Sequence, residues 1–139
     1  MGFSHIIVPA VVVVGVGIIG TYMLVASHAA TTCKANTYGS GASSTCVKYI
    51  QRFYNGAGYQ YWKWSGNALL TVDGKYGTQT KTQTAAFQKF SGLTQDGVVG
   101  PKTWSILCAD AGAIKNNKLQ AYPKIYDAYL AAKSAGCAI

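Results

Sequence analysis

Leu70-Thr71-Val72-Asp73-Gly74-Lys75-Tyr76-Gly77-Thr78-Gln79-Thr80 returns further along the chain as Leu93-Thr94-Gln95-Asp96-Gly97-Val98-Val99-Gly100-Pro101-Lys102-Thr103. Both copies obey the frame L-T-x-D-G-x-x-G-x-x-T. Asp-Gly is a turn dipeptide, because the aspartate side chain bonds nearby backbone and glycine takes positive φ without a Cβ clash. The second glycine of each copy stands where a helix begins. Pro101 then occupies a first helical position, where a missing N–H costs nothing. Apolar residues at helical spacing follow each copy: Ala86, Phe87 and Phe90 after the first, and Trp104, Leu107, Cys108 and Ala111 after the second. Agreement at six framed positions, with a helical pattern after each, marks an internal duplication of a turn-then-helix unit.

The ends of the chain speak to compartment. Ile6 to Ala26 carries no charged side chain and is dominated by Val, Ile and Gly. Its length approaches the roughly 20 apolar residues that cross a bilayer core. Ser27-His28-Ala29 closes it with the small-x-small triplet that suits signal peptidase, so residues 1–29 read as an export signal cleaved before Ala30. No Lys or Arg precedes the apolar run, and it exceeds a usual signal core, so an uncleaved membrane anchor is the alternative. The four cysteines, Cys33, Cys46, Cys108 and Cys137, all lie beyond this segment, and none forms a C-x-x-C pair. Even number, wide spacing and an export signal favour disulfides over metal. Among the three pairings open to four cysteines, Cys46–Cys108 ties the first expected helix to the third and leaves Cys33–Cys137 for the tails.

Between these points, residues 30–44 are rich in Thr, Ser, Gly and Asn and read as a linker. Thr45 to Asn55 is a first helix with Val47, Ile50 and Tyr54 on one face, stopped by Gly56-Ala57-Gly58. Tyr59 to Asn67 is an aromatic loop. Thr78–Ser91 is a second helix ended by Gly92, and Pro101–Ala111 a third ended by Gly112. A last helix, Pro123–Ser134, sets Tyr122, Ile125, Tyr126, Tyr129 and Leu130 on one face. The expectation is a mainly α protein: a small three-helix bundle over 45–112, with 113–139 as a C-terminal helical extension.

Residues 45–107 resemble the small peptidoglycan-binding domain appended to bacterial and phage cell-wall hydrolases. The resemblance rests on Val47, Ile50 and Gln51 in the first helix, and on Asp73, Gly74, Tyr76, Gly77 and Thr80 in the first turn. Phe87-Gln88 and then Gly92, Leu93, Asp96, Gly97, Val99, Gly100, Thr103, Trp104 and Leu107 complete it. It implies a compact three-helix fold with pseudo-repeated turns and a shallow groove for wall glycan and stem peptide, in a module that binds without catalysis. The chain departs from the pattern at Gln83 and Thr84, where the family carries apolar residues, and in a longer, more aromatic 59–67 segment. The pattern does not cover residues 113–139.

Composition speaks against catalysis. The only histidines are His5 and His28, both inside the apolar leader, and the chain contains no Glu. Zinc hydrolases need histidine ligands, transpeptidase-like enzymes need a Cys with a His, and glycosidases need two placed carboxyl groups. Asp73 and Asp96 read as turn residues. The chain is therefore expected to be no enzyme, with no cofactor and no metal.

Twelve Lys+Arg against four Asp+Glu give a formal charge of +8, all beyond the leader, which suits peptidoglycan or an associated anionic wall polymer. Nucleic acid is not expected, since no nucleic-acid motif accompanies the charge. Tyr59, Tyr61, Trp62 and Trp64 are candidates to stack on sugar faces, and Asp73, Tyr76, Gln88 and Asp96 are the candidate binding residues around the turns. The expected location is secreted or cell-surface, with membrane anchoring through 6–26 as the variant. The alternative function is a membrane-anchored or appendage-associated interaction protein that docks on a partner through its last helix.

Overall fold

The computed structural model describes residues 32–64 and 69–139. The leader read as signal or anchor lies outside these residues, as does the end of the aromatic loop, residues 65–67. Among the described residues no helix is long and apolar enough to cross a membrane. Thr32–Ile139 forms one compact unit.

Four helices build it: α1 (Thr45–Phe53), α2 (Thr78–Phe90), α3 (Pro101–Asn116) and α4 (Pro123–Ser134). No named strand occurs among the described residues; two isolated antiparallel bridges, Tyr38 with Val99 and Ser43 with Lys75, supply the only extended pairing there. Ser44 caps α1 by accepting from the Val47 N–H at 3.3 Å, which satisfies one of the orphan donors of the first turn. Val47, Ile50 and Phe53 are buried along one face of α1.

The expected stop at Gly56 does not occur. The helix widens instead into a π-helical stretch, Tyr54–Tyr61. Gly56 and Ala57 lie buried where α4 presses in, and a Cβ on Gly56 would sit 2.2 Å from the Lys124 carbonyl oxygen. The glycines that looked like a terminator are there for close helix approach. α4 answers with its own small residues, Ala128, Ala131 and Ala132, all buried. It packs on α1, on the π-helical stretch and on α3.

Three further expectations are corrected. Of the stretch 30–44 read as a linker, the described part, 32–44, straps across both turn copies. Tyr38 exchanges two backbone hydrogen bonds with Val99 (3.0 and 2.8 Å), the Tyr76 N–H donates to Ala42 O at 2.8 Å, and Ser44 N–H donates to Gly74 O at 3.0 Å. Trp104, 2 % exposed, pins the strap by donating its indole N–H to Asn36 O at 3.0 Å. Second, α3 runs through Gly112 to Asn116. Burial of Ala111 and Ile114 against the fourth helix outweighs the roughly 1 kcal/mol that a mid-helix glycine costs.

Third, the disulfides are Cys33–Cys46 and Cys108–Cys137, not Cys46–Cys108 and Cys33–Cys137. The strap carries Cys33 back to the start of α1, and the tail beyond α4 returns along α3, so each bridge staples a terminal segment to its neighbouring helix. By loop-closure entropy each contributes about 3 kcal/mol.

Candidate functional site

The duplicated phrase builds one hydrogen-bond device twice. Asp73 Oδ1 accepts from the Lys75 N–H at 2.9 Å, and Gly74 takes φ +77°. Gln51, reaching across from α1, donates its amide N–H groups to Asp73 Oδ1 and Lys75 O at 3.0 Å and to Thr80 Oγ1 at 3.2 Å. Its amide oxygen accepts from the Gly74 N–H at 2.9 Å.

The second copy matches bond for bond. Asp96 Oδ1 accepts from the Val98 N–H at 2.9 Å, and Gly97 takes φ +68°. Gln88, from the end of α2, donates to Asp96 Oδ1 at 2.7 Å, Val98 O at 2.9 Å and Thr103 Oγ1 at 3.2 Å, and accepts from the Gly97 N–H at 2.9 Å. Both glutamines are buried.

Tyr76 joins the copies. Its hydroxyl, buried, donates to Gly97 O of the second turn at 3.0 Å and shares a hydrogen bond with Thr84 Oγ1. Thr84, which departs from the apolar family pattern, is thus the polar seat of Tyr76, and its hydroxyl also bonds Thr80 O at 2.9 Å.

On the outer side of the first turn lies an open groove of about 380 Å³, lined by Thr71, Asp73, Lys75, Gly77, Thr78 and Gln79 among others. Exposed Leu69 and Val72 give the same extended segment apolar side chains. Gly77 has no side chain to cap α2, so the positive end of that helix opens here, beside Lys75. Hydroxyls, an amide, one carboxylate and one ammonium on a shallow apolar floor form a surface for a polar, flexible ligand.

The candidate residues named from sequence divide accordingly. Asp73 lines the groove. Asp96 is exposed in the second turn. Tyr76 and Gln88 are corrected: both are buried with their polar atoms engaged internally, so they shape the turns and present nothing to a ligand. Trp64 is corrected too. It folds onto the core, its ring 5.1 Å from Tyr54 and 5.3 Å from Phe87, and covers Gly58 so closely that a Cβ there would meet it at 2.5 Å. Trp62 packs partly against the core. Tyr59 is half-buried under the Lys63 ammonium, 5.5 Å from its ring centre. The Tyr61 side chain lies outside the described residues. Thr71, Thr78 and Gln79 were missed from sequence, since each looks like an ordinary helix-start or turn residue.

The carboxylates are tuned by the same bonds. The Lys75 N–H and then Gln51 hold the Asp73 carboxyl below the usual range, and the Val98 N–H and then Gln88 do so for Asp96. Both are ionised near neutrality, and neither has a proton to give. Asp110 on α3 differs: its Oδ2 is buried with no hydrogen-bond partner among the described residues, and desolvation pushes its pKa up to about 6. Folding therefore favours its protonated form, and stability rises as pH falls from about 6 toward the ordinary value of 3.8. Below that value Asp73 and Asp96 begin to protonate and stability falls. The melting temperature is expected to peak between these limits. Asp110→Asn should stabilise the fold at pH 7 by about 1 kcal/mol after allowance for partial solvent screening, raising the melting temperature there and flattening the profile above the peak. A melting temperature flat from pH 7 to 4.5 in the parent chain contradicts this.

Duplicated turns locked by buried glutamines, beside an open polar groove, define a small helical binding scaffold. Residues 43–107 match the family model described as "Putative peptidoglycan binding domain", and over these residues the chain carries a domain of that family. The match takes in both turn copies, the end of the strap and the start of α3, and leaves the end of α3 and all of α4 outside. No curated protein and no solved structure matched the chain.

Proposed function

We propose that the chain is an exported, non-catalytic module that binds bacterial cell-wall peptidoglycan through the groove beside the first turn. One observation carries the reading: the segment that matches the family is the one whose first turn forms the wall of the open groove. Thr71, Thr78 and Gln79 offer hydroxyl and amide partners for sugar hydroxyls and acetamido groups. Lys75 and the uncapped start of α2 favour a carboxylate. Two disulfides suit an oxidising compartment and so support export. With both turn aspartates ionised, neither can supply the general acid that glycoside cleavage requires, which supports binding without bond cleavage.

The test is sedimentation of the purified, oxidised chain with insoluble cell walls at low and high salt. Co-sedimentation is expected at low salt. It should weaken about tenfold in a Lys75→Glu, Gln79→Ala double variant of unchanged melting temperature. No co-sedimentation at low salt sinks the reading. Complete loss at high salt, with the double variant behaving like the parent, reassigns binding to the general positive charge.

A further inference from the structure

A second cleft, about 330 Å³, opens between α1 and α4, lined by Arg52, Asn55, Leu69, Pro123, Lys124 and Asp127 among others. Its near side falls within the family match, and its far wall, α4, lies beyond it. The extended segment that forms its near wall also serves the first groove. Leu70 lines both, and Leu69 and Leu70 together line a smaller recess shared with Thr78 and Gln79.

That segment is a fixed ridge. Asn55 donates to Leu70 O and accepts from the Leu70 N–H, both at 2.8 Å, while Leu69 stands 45 % exposed above it. We infer that α4 adds a second subsite to the groove, and that it takes the short acidic peptide arm of the polymer whose sugar lies in the first. This inference rests on the peptidoglycan reading above.

Chemistry selects the occupant. The residues named on this cleft include no aromatic ring, so it offers no stacking face for a sugar. Leu69, Leu70 and Pro123 suit small alkyl side chains. Arg52 is held by Asp127 in a two-bond ion pair, with the Nε–Oδ2 bond at 3.0 Å. Lys124 is exposed beside that pair. Two cations against one carboxylate leave the cleft positive, complementary to a peptide carboxylate. A ligand joined across the Leu69–Leu70 ridge gains from both subsites, because the second contact becomes intramolecular.

The experiment is calorimetric titration of the oxidised full chain with three ligands: a bare wall disaccharide, the same disaccharide carrying its peptide, and the peptide alone. The disaccharide-peptide is expected to bind roughly 100-fold more tightly than the bare disaccharide. Lys124→Glu should reduce that advantage by about tenfold while leaving the bare disaccharide unaffected, and Lys124→Arg should preserve it. A peptide advantage untouched by Lys124→Glu, or an equal loss for both sugars, overturns the subsite and leaves the wall-binding reading standing. No binding by any of the three ligands overturns both.

Discussion

Gln51→Ala and Gln88→Ala are each expected to destabilise the folded chain by about 3 kcal/mol, far more than truncation of an ordinary surface glutamine. Each side chain is 2 % exposed and serves three acceptors and one donor in its turn. Truncation leaves the Gly74 or Gly97 N–H without its partner, and a cavity the turn cannot fill without losing the aspartate geometry. The isosteric changes are as informative. Gln88→Glu keeps the volume but replaces the donor with a carboxylate oxygen facing Asp96 Oδ1, so its cost should exceed that of alanine at pH 7 and shrink as pH falls. Because Tyr76 links the two turns, the double alanine variant should depart from additivity and approach the whole stability of a small domain. Urea unfolding at pH 7 and pH 4.5 measures all of this. Either alanine variant falling within 1 kcal/mol of the parent would show that these networks are not what holds the turns.

How legible this was depends on distance along the chain. The Asp-Gly turns, the starts of α2 and α3 and the full span of α4 follow from local chemistry, and the sequence reading placed them. Gln51 could be matched to a family motif, yet its partners lie 22 to 29 residues away, so its task was invisible until the turn was built. Gln88 was assigned to ligand although its partners lie only 8 to 15 residues on, because a polar residue at a helix end gives no sign that the following turn folds back to bury it. The disulfide pairing and the strap needed the path of the chain, which a Thr- and Gly-rich stretch does not declare. Trp64 was misread because an aromatic run without periodicity looks the same whether it covers a core or faces water. Its ring lies over Phe87 at the thin, polar face of α2, the place where the sequence showed a deficit of apolar side chains.

Gly56→Ala should be the most damaging single added methyl, with a cost of about 3 kcal/mol or more and a fall in melting temperature of roughly 12 °C or beyond. Its Cβ would lie 2.2 Å from the Lys124 carbonyl oxygen and 2.6 Å from the Ala128 Cβ. Neither is the yielding tip of a long side chain; one is helix backbone and the other is fixed to it. The fourth helix must therefore move away from the π-helical stretch and the end of α1 beside it, which also breaks the Arg52–Asp127 pair and reshapes the second cleft. Gly77→Ala is the matched control. Nothing lies within 4 Å of its Cβ position, and its φ of −92° suits any residue, so the change should be neutral or mildly stabilising through the unfolded chain. Thermal melts of the two variants side by side separate the steric clash from the general effect of removing a glycine. If both melt within a degree or two of the parent, α4 does not press on the π-helical stretch as described, and the peptide subsite loses its far wall.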